Sequence, residues 1–341
     1  MNSCGNSKPM DSSQKLFENT RLKNIPLICT FELTQNCNQR CVHCYLGKNK
    51  RPDALSTRRV KQILVQLARA GTLYLTFTGG EILLREDIIE LCAAARKLAF
   101  DLRLFTNGTL LTEKMARELA ALNVTALEIS IYGRKSTHDS ITRVPGSFDK
   151  SIAAIRLARR HGMAVTLKSP MMKNNFPDYR YLKSLAGRLG AALKIDPVIV
   201  PANDGGTAVL RHRLPDVKLK SLLASGRNLA ETRHATETGD SLLCSAGRNL
   251  AAVTCDGTLY PCLQLPLALG NLQKTSFARL WRSAAATRYR QITDADLDEC
   301  FSCKLSAFCQ RCPGLALIEN GSLLGPSKTS CKIAQIRQKF R

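Results

Sequence analysis

Short apolar runs rich in β-branched residues alternate with amphipathic stretches along the first two hundred residues. The amphipathic stretches have helical spacing, and Ser56, Thr112 and Ser147 stand where helix N-caps are expected. Strict alternation of strand and helix predicts parallel strands joined by right-handed crossovers. The predicted strands cover 26–34, 72–78, 102–106, 126–131, 164–168 and 191–200, and the predicted helices 57–70, 86–98, 113–122, 148–161 and 178–189.

Six such units favour an α/β fold with a partial (β/α)6 TIM-like barrel over residues 25–200, with a doubly wound sheet as the alternative. Residues 1–24 are polar and without periodicity, which predicts a flexible N-terminal arm. The segment from Pro201 to Gly206 breaks the repeat and opens a bridging region, 201–240, with one helical stretch. Residues 241–341 form a small cysteine-rich domain in this interpretation, with a hairpin around Asp256-Gly257.

Composition limits the class of protein. With 341 residues and 44% hydrophobic content, the chain is neither extended disorder nor a disulfide-held miniprotein. It carries 50 Lys and Arg against 27 Asp and Glu, a net charge of +23. A signal-peptide core and an 18-residue apolar run are both missing from the sequence, so we expect no membrane span and a cytoplasmic protein. In that compartment the 14 cysteines are more often metal ligands than disulfides.

Three cysteines follow the first predicted strand at the spacing Cys37-x3-Cys41-x2-Cys44. Three thiolates leave one iron of a four-iron cluster open to another ligand. The alternative is a zinc site with His43 as the fourth ligand. The position of the loop at a strand end, where barrel enzymes place their chemistry, favours the iron cluster.

The triplet, together with Gly79-Gly80-Glu81 after the second strand, resembles the signature of the radical S-adenosylmethionine (SAM) enzymes. The resemblance implies a 4Fe-4S cluster on Cys37, Cys41 and Cys44 whose open iron binds SAM. Reductive cleavage of SAM would then give a 5′-deoxyadenosyl radical that abstracts hydrogen from a substrate carbon. One departure from the pattern is Ile82, where many relatives have proline.

The resemblance also implies a set of SAM contacts, for several of which an ordinary structural role is the alternative. Asn107-Gly108 suits a tight turn, Ser130 can satisfy backbone groups, and Lys168 can be a solvated charge. His43 stands where the family usually has an aromatic residue near the adenine, so we expect it to pack and not to bind metal. The implied SAM-binding residues are His43, Gly79, Gly80, Glu81, Asn107, Ser130 and Lys168.

Seven cysteines of the C-terminal region form an ordered array, which resembles the SPASM extension of radical SAM enzymes. Two of its C-x2-C pairs taken alone would also suit a zinc knuckle. The resemblance implies two auxiliary 4Fe-4S clusters. Cys255 is either a further ligand or a buried small hydrophobe, the second being favoured. The implied ligands are Cys244, Cys262 and Cys312 for one cluster and Cys300, Cys303, Cys309 and Cys331 for the other.

The resemblance favours maturation of a peptide or protein, with a radical step in tetrapyrrole or other cofactor biosynthesis as the alternative. A metal-dependent nucleic-acid-binding protein, from a different class, is suggested by the charge, but 6% aromatic content and the missing binding motifs make nucleic acid an unlikely partner. The expected partners are a peptide or small-molecule substrate, acidic if it matches the charge, and a low-potential electron donor of the flavodoxin or ferredoxin type. A separate leader-peptide-binding protein is a further possible partner. Arg143 and Asp196 are two of several strand-end groups that could be the catalytic acid or base, and the sequence does not choose among them.

Overall fold

A single nine-stranded sheet carries the fold. The computed structural model describes residues 11–47, 51–225 and 244–340. The sheet order is β6-β5-β4-β3-β2-β1-β7-β8-β9, and the first six strands are parallel and follow chain order. The strands are β1 (Ile28–Thr34), β2 (Tyr74–Gly79), β3 (Asp101–Thr106), β4 (Ala126–Ser130), β5 (Val165–Pro170), β6 (Ala192–Asp196), β7 (Leu250–Val253), β8 (Thr258–Tyr260) and β9 (Gly270–Asn271).

Helices separate the parallel strands, which confirms the predicted partial barrel. Short 3₁₀ turns complete the connections at 82–84, 176–178, 208–212, 294–296 and 306–308. The helices are α1 (Ser12–Leu22), α2 (Thr57–Arg69), α3 (Ile88–Lys97), α4 (Glu113–Ala121), α5 (Lys135–Thr142), α6 (Ser147–Arg160), α7 (Tyr179–Arg188), α8 (Asp216–Ser225), α9 (Phe277–Trp281), α10 (Ala284–Gln291), α11 (Asp298–Phe301), α12 (Pro313–Asn320) and α13 (Lys328–Gln338).

The core lies between the sheet and its helices. Alternate residues of β1 and β2, such as Phe31 and Phe77, are fully buried against helical residues that include Leu64 and Leu67. Phe31 and Phe77 are register partners on adjacent strands, and their rings meet edge to face at 6.3 Å. Because side chains alternate along a strand, the other face of the sheet carries polar residues, with Glu32 among them.

The predicted helix starts are correct where the capping residue directly precedes its own helix. The hydroxyls of Ser56 and Thr112 accept hydrogen bonds from the amides of Arg59 and Met115, as predicted. The predicted cap at Ser147 is wrong, because α6 begins after Gly146. The carboxylate of Asp139 accepts from the Gly146 and Phe148 amides, both at 2.8 Å, so the cap comes from the preceding helix, α5.

The flexible arm predicted over residues 1–24 is wrong for the part that the structure describes. Residues 12–22 form α1, which Asp11 caps through the amide of Gln14. Phe17 stacks on Tyr74 at 5.9 Å, and the Asn249 side chain donates to the Phe17 carbonyl at 3.0 Å. Residues 1–10 lie outside the described range. The sequence of α1 has no helical periodicity of apolar residues, because only one narrow face of the helix contacts the domain. The helix was therefore not predicted.

The C-terminal region is joined to the barrel through the sheet. Strand β7 pairs in parallel with β1, and the predicted hairpin forms as β7 and β8 in antiparallel register. The predicted boundary at residue 241 therefore does not separate two independent sheets. Of the predicted bridging region, the described part contains α8 as its helical stretch, while 226–240 lies outside the described residues. None of the described helices is long and apolar enough to cross a membrane.

Candidate iron-sulfur and SAM site

The three cysteines that follow β1 lie together in one half-buried loop. Burial raises the pKa of the Cys41 thiol to about 12, and the thiols of Cys44 and Cys37 add to the rise. All three thiols are therefore close together. The Gln39 amide points at the Cys37 sulfur at 3.4 Å, a contact that suits a thiolate. A thiol with so high a pKa ionises when a strong cationic group binds beside it. The donor set therefore fits an iron-sulfur cluster.

Backbone bonds from neighbouring elements hold this loop in place. The amides of Arg40 and Val42 donate to the carbonyls of Thr142 and Ile141 at the end of α5, both at 3.0 Å. From the other side, the Asn107 side chain donates to Asn38 at 2.8 Å. The loop is thus held between α5 and the end of β3 by the chain's own hydrogen bonds.

The two glycines after β2 are required by the neighbouring strand. A Cβ on Gly79, whose φ is +147°, would lie 2.1 Å from the Thr34 carbonyl oxygen, and one on Gly80 would lie 2.2 Å from that of Asn36. The Gly80 amide donates to Thr34 at 2.8 Å. These glycines allow the end of β2 to lie against the start of the cysteine loop, which a side chain would prevent.

Glu81 is fully buried and holds the end of β3. Its Oε1 accepts from the Thr106 hydroxyl at 2.5 Å and from the Leu83 amide at 3.0 Å, and its Oε2 accepts from the Asn107 amide at 2.7 Å. Burial raises its pKa, and these hydrogen bonds oppose the rise. With a single hydrogen bond among the described residues, Oε2 keeps a lone pair for a cationic ligand such as an ammonium group.

The remaining implied SAM contacts lie along β3, β4 and β5. Asn107 touches both Glu81 and the cysteine loop, while Ser130 and Lys168 are register partners on adjacent strands. Lys168 is not a solvated charge: its Nζ lies 3.5 Å from Glu128 and 3.7 Å from the centre of the Phe105 ring. Burial lowers its pKa, and Glu128 opposes that effect.

His43 packs inside the site as a neutral ring. It meets Tyr132 edge to face at 4.8 Å, and its Nδ1 has no hydrogen-bond partner among the described residues. Burial, with a smaller contribution from His212, lowers its pKa to about 4. Among the described residues no group of three His, Cys, Asp or Glu side chains is placed to hold a single metal ion.

Two aromatic residues that the sequence interpretation did not select belong to this site. The Tyr132 hydroxyl lies 4.0 Å from the Cys41 sulfur, and Tyr45, directly after the triplet, donates to Glu32 at 3.0 Å. The sequence offered one signal for the Tyr45–Glu32 pair, namely an acidic residue, Glu32, within an otherwise apolar strand. Tyr132 gave no local signal, because its role depends on the loop that folds over it.

The first auxiliary set of cysteines comes together across three segments. Burial raises the pKa of Cys262 to about 11, with Cys244 and Cys312 as neighbouring thiols that add to the rise. The Cys244 sulfur lies 3.8 Å from the Tyr289 hydroxyl. A Cβ on Gly314 would lie 2.0 Å from the Gln264 carbonyl oxygen, so this glycine lets the start of α12 approach the Cys262 loop.

The second auxiliary set gathers around α13. Burial raises the pKa of Cys331, followed by the effects of Cys300 and Cys303, which places these three thiols near one another. Arg337 of α13 lies near a fourth thiol: burial lowers the pKa of Arg337, and Cys309 opposes that effect. Two buried-backbone contacts support the segment, since Arg311 donates to the carbonyls of Leu323 and Gly325 at 2.5 and 2.6 Å.

Cys255 lies apart from both sets. Its sulfur is buried 3.6 Å from the Pro52 carbonyl, and its own carbonyl accepts from the Ala54 amide at 3.2 Å. Burial raises its pKa to about 12. The position supports the interpretation of Cys255 as a small buried residue that packs the hairpin onto the β1–α2 connection.

Arg51 joins the cysteine loop to the C-terminal hairpin. The Arg51 guanidinium lies 3.4 Å from both Thr254 and Asp256, and 5.1 Å from the Tyr260 ring centre. Its amide donates to the Gln35 side chain at 2.7 Å. Through Arg51 the cysteine loop and the hairpin form one structural unit.

The fold and the donor sets define an iron-sulfur enzyme that uses strand-end residues of a partial barrel. Comparison with known families agrees: residues 31–181 match the radical SAM superfamily, and residues 244–313 match the SPASM iron-sulfur cluster-binding domain. The chain belongs to the radical SAM superfamily, carries a SPASM domain and uses 4Fe-4S clusters and SAM as cofactors.

Individual relatives cover most of the chain. The AdoMet-dependent heme synthase of Methanosarcina barkeri strain Fusaro is 26% identical over 89% of this chain and 95% of its own length. The mycofactocin maturase MftC of Mycobacterium tuberculosis is 30% identical over 77% of this chain and 72% of its own. These two relatives carry names from different areas of metabolism.

Solved structures share the fold. Streptococcus suis SuiB, bound to its precursor peptide SuiA, superposes with a TM-score of 0.71 at 16% identity, covering 97% of this chain and 84% of SuiB. anSMEcpe with bound AdoMet has a TM-score of 0.70 at 19% identity, covering 92% and 93%. At these identities the likeness concerns the fold alone.

Proposed function

We propose that this enzyme matures a peptide or protein by abstracting hydrogen from one of its carbon atoms. Cys37, Cys41 and Cys44 would hold a 4Fe-4S cluster that, when reduced by an external electron donor, would supply the electron for reductive cleavage of SAM and so the radical chemistry of hydrogen abstraction. The chain's own residues position the reactants and exclude water.

The observation that carries the proposal is the open edge of the sheet. Strand β6 is the last of the parallel strands, nothing among the described strands pairs with its outer edge, and Lys194 and Asp196 on it are exposed. A closed eight-stranded barrel surrounds a small ligand, whereas an open one leaves a side entrance. A substrate that continues on both sides of its reacting residue needs such an entrance. The 30% identity to a relative named a mycofactocin maturase supports a role in maturation.

We assign the residues of the site as follows. Glu81 would accept from the SAM ammonium through Oε2, and Gly79 and Gly80 would set the shape of that pocket. Ser130 and Lys168 lie on the strands beside it, where a hydroxyl and a cation suit a carboxylate. His43 and Tyr132 would cover the cluster loop with apolar ring surface.

The two C-terminal cysteine groups would each hold an auxiliary 4Fe-4S cluster, giving three clusters per chain. Cys244, Cys262 and Cys312 would serve one, and Cys300, Cys303, Cys309 and Cys331 the other. A low-potential flavodoxin or ferredoxin would supply electrons, and a separate leader-peptide-binding protein would present the substrate. These partners are part of the proposal.

A second candidate is a radical step on a tetrapyrrole. It is favoured by the match to AdoMet-dependent heme synthase, which covers more of both chains. The strand register places Arg103, which lies 3.4 Å from Asp101, and Lys194 on the face of the sheet that also carries Glu32 and Lys168. These cations suit substrate carboxylates. Both candidates predict the same SAM cleavage and differ in the substrate that accepts the radical.

One anaerobic experiment separates the two candidates. The reconstituted enzyme is incubated with SAM, a strong reductant and either short peptides encoded beside its gene or an iron porphyrin with carboxylate side chains. We expect a change in peptide mass and, from a peptide deuterated at the reacting carbon, deuterium in 5′-deoxyadenosine. About twelve irons per chain are expected for three clusters. Conversion of the porphyrin alone would favour the second candidate, and zinc in place of iron would contradict both.

A further inference from the structure

A cationic groove lies on the outer helix layer, away from the cysteines. It has a volume of about 840 Å³ between α6 and α7, within the usual range for ligand clefts. Arg156, Arg159, Arg160 and Arg188 form its rim, while Ile152 and Leu185 form a buried apolar floor. We call these six residues the arginine groove.

The arginines of the groove keep most of their donors unused among the described residues. Arg159 donates to the Met163 carbonyl at 3.0 Å, and Arg188 to the Ser184 hydroxyl at 2.6 Å. Arg160 shares the carboxylate of Glu113 with His161. Since each guanidinium has five N–H donors, the rim can bind several further carboxylates.

Neutralisation of helix dipoles does not explain the whole rim. Arg159, Arg160 and Arg188 lie in the last turns of α6 and α7, where cations are favourable. Arg156 lies a full turn before the end of α6, where that effect has faded. It is exposed, and its side chain has no hydrogen bond or ion pair with the described residues.

A row of packed aromatic rings connects one end of the groove with the cysteine loop. Phe148, at the start of α6, lines the groove and meets His138 at 5.8 Å. His138 stacks on Tyr132 at 5.3 Å, and Tyr132 meets His43 at 4.8 Å, between two of the cysteines. The Phe148 end of the groove is therefore the end nearer to the cysteine loop.

The dimensions suit an extended peptide. From Phe148 to Arg160 the helix rises about 18 Å at 1.5 Å per residue. An extended chain covers that length with about five residues at 3.3 Å each. Alternate side chains of such a segment would face the apolar floor, while the others would reach the arginine rim.

We propose that the arginine groove binds an acidic, partly apolar segment of the peptide substrate, outside the residue that is modified. The inference rests on the proposed function, because it takes the substrate to be a peptide. Charge complementarity selects the occupant, since four arginines and no carboxylate line the groove among the described residues, and Glu113, the partner of Arg160, is shared with His161. An acidic electron-transfer protein is the competing occupant, but the apolar floor of Ile152 and Leu185 favours a segment that carries apolar side chains as well.

The test measures binding to the iron-loaded enzyme without turnover. The probe is a fluorescein-labelled peptide of alternating acidic residues and leucine, about seven residues long to exceed the groove, followed by fluorescence anisotropy. The variant Arg156→Glu/Arg188→Glu is compared with Arg58→Glu/Arg69→Glu on α2, an equal change of charge at exposed positions. We expect at least tenfold weaker binding for the groove variant and less than a twofold change for the control. Equal weakening in both, or none in the groove variant, would overturn the proposal.

Turnover then separates this inference from the proposed function. If no peptide is modified but probe binding still depends on the groove, the peptide-maturation function is wrong; the groove then binds acidic peptides, but its occupant is not the substrate. If peptides are modified equally well by Arg156→Glu/Arg188→Glu, the groove proposal is wrong and the function stands. If the variant loses SAM cleavage with flavodoxin but keeps it with dithionite, the groove serves an electron donor and the proposal is wrong.

Discussion

The two cysteine regions of this molecule are built in different ways. The triplet at 37–44 lies in one loop, fixed by strand ends and by a core that includes the fully buried Phe31 and Phe77. The auxiliary cysteines are spread from 244 to 331, and those from 300 onward lie on short helices and turns. Between 294 and 340 six apolar side chains are buried, Leu297, Phe308, Leu315, Ala316, Ala334 and Ile336. There, arginine-to-backbone bonds such as that from Arg311 to Gly325 hold segments together. Hydrophobic burial therefore preorganises the loop of the cysteine triplet, whereas the folding of the auxiliary region depends more on the metal clusters that its cysteines would bind.

The largest expected effect comes from removing one ligand from each region. Cys37→Ala should abolish 5′-deoxyadenosine formation, a loss of at least a hundredfold, while the barrel stays folded because its core is untouched. Cys300→Ala should raise amide hydrogen exchange at least tenfold across 294–340, because ligation there replaces a hydrophobic core. Mass spectrometry of exchanged peptides and the iron content measure both.

The matched control is Cys92→Ala, at a fully buried cysteine of α3 outside every cysteine set. It should keep its iron and lose about 1 kcal/mol of stability through lost packing. Equal loosening of the barrel by Cys37→Ala, or unchanged exchange after Cys300→Ala, would contradict the comparison.

The next effect tests close backbone approach in each region. Gly80→Ala and Gly314→Ala would each drive a Cβ to about 2 Å from a carbonyl oxygen, so the backbone must shift. We expect Gly80→Ala to weaken SAM binding at least tenfold, and Gly314→Ala to reduce iron at the auxiliary site while SAM binding persists. Calorimetric titration of SAM and iron analysis give the two readouts.

Gly187→Ala serves as the control for both, because no atom lies within 4 Å of its added Cβ in α7. It should be neutral or stabilise the protein by about 0.5–1 kcal/mol. Loss of SAM binding in this variant would show that the assay reports general destabilisation.

A smaller effect concerns the contact between the regions. Arg51→Met keeps the aliphatic stem of Arg51 but removes its contacts with Asp256 and Tyr260, which are partly buried. We expect a loss of about 1 kcal/mol in unfolding free energy and faster hydrogen exchange in the hairpin at 250–260. Lys61→Met, at an exposed pair with Glu90, should change neither. A hairpin that exchanges at the wild-type rate in Arg51→Met would exclude this coupling.

The smallest effect is a pH dependence that arises in the barrel. Burial lowers the pKa of His138 to about 4, whereas an unfolded histidine has a pKa near 6.5. Between these values the unfolded chain binds a proton that the folded chain does not, so stability falls as pH decreases. His138→Gln, which can still accept from the Tyr132 amide, should remove roughly 1 kcal/mol of the loss between pH 7.5 and 5.5. Denaturant titrations at the two pH values measure it, and an unchanged difference would mean that His138 does not contribute.

Local signals predicted the barrel well. Strand positions and the caps at Ser56 and Thr112 depend on residues within a few positions of one another. The cap of α6 was missed because Asp139 supplies it from another helix. Helix α1 was missed because its contacts with Tyr74 and Asn249 come from distant parts of the chain.

The structure explains part of the net positive charge of the chain. Arg290, one of the 50 basic residues behind the net charge, is half-buried and donates to the carbonyls of Gly247 and Trp281 at 2.5 and 2.7 Å. Burial, with Arg248 next, lowers its pKa to about 10. Part of the basic composition therefore holds backbone segments together instead of meeting a partner.

The sequence by itself determined the alternation of strands and helices, the cysteine spacing and the Gly79-Gly80-Glu81 turn, since each is a pattern of near neighbours. The tertiary structure decided which groups meet: β7 beside β1, Cys312 near Cys244 and Cys262, Tyr132 beneath the cysteine loop, and four arginines around one groove. Such contacts follow from how the elements pack, and packing depends on shape and burial summed over distant residues.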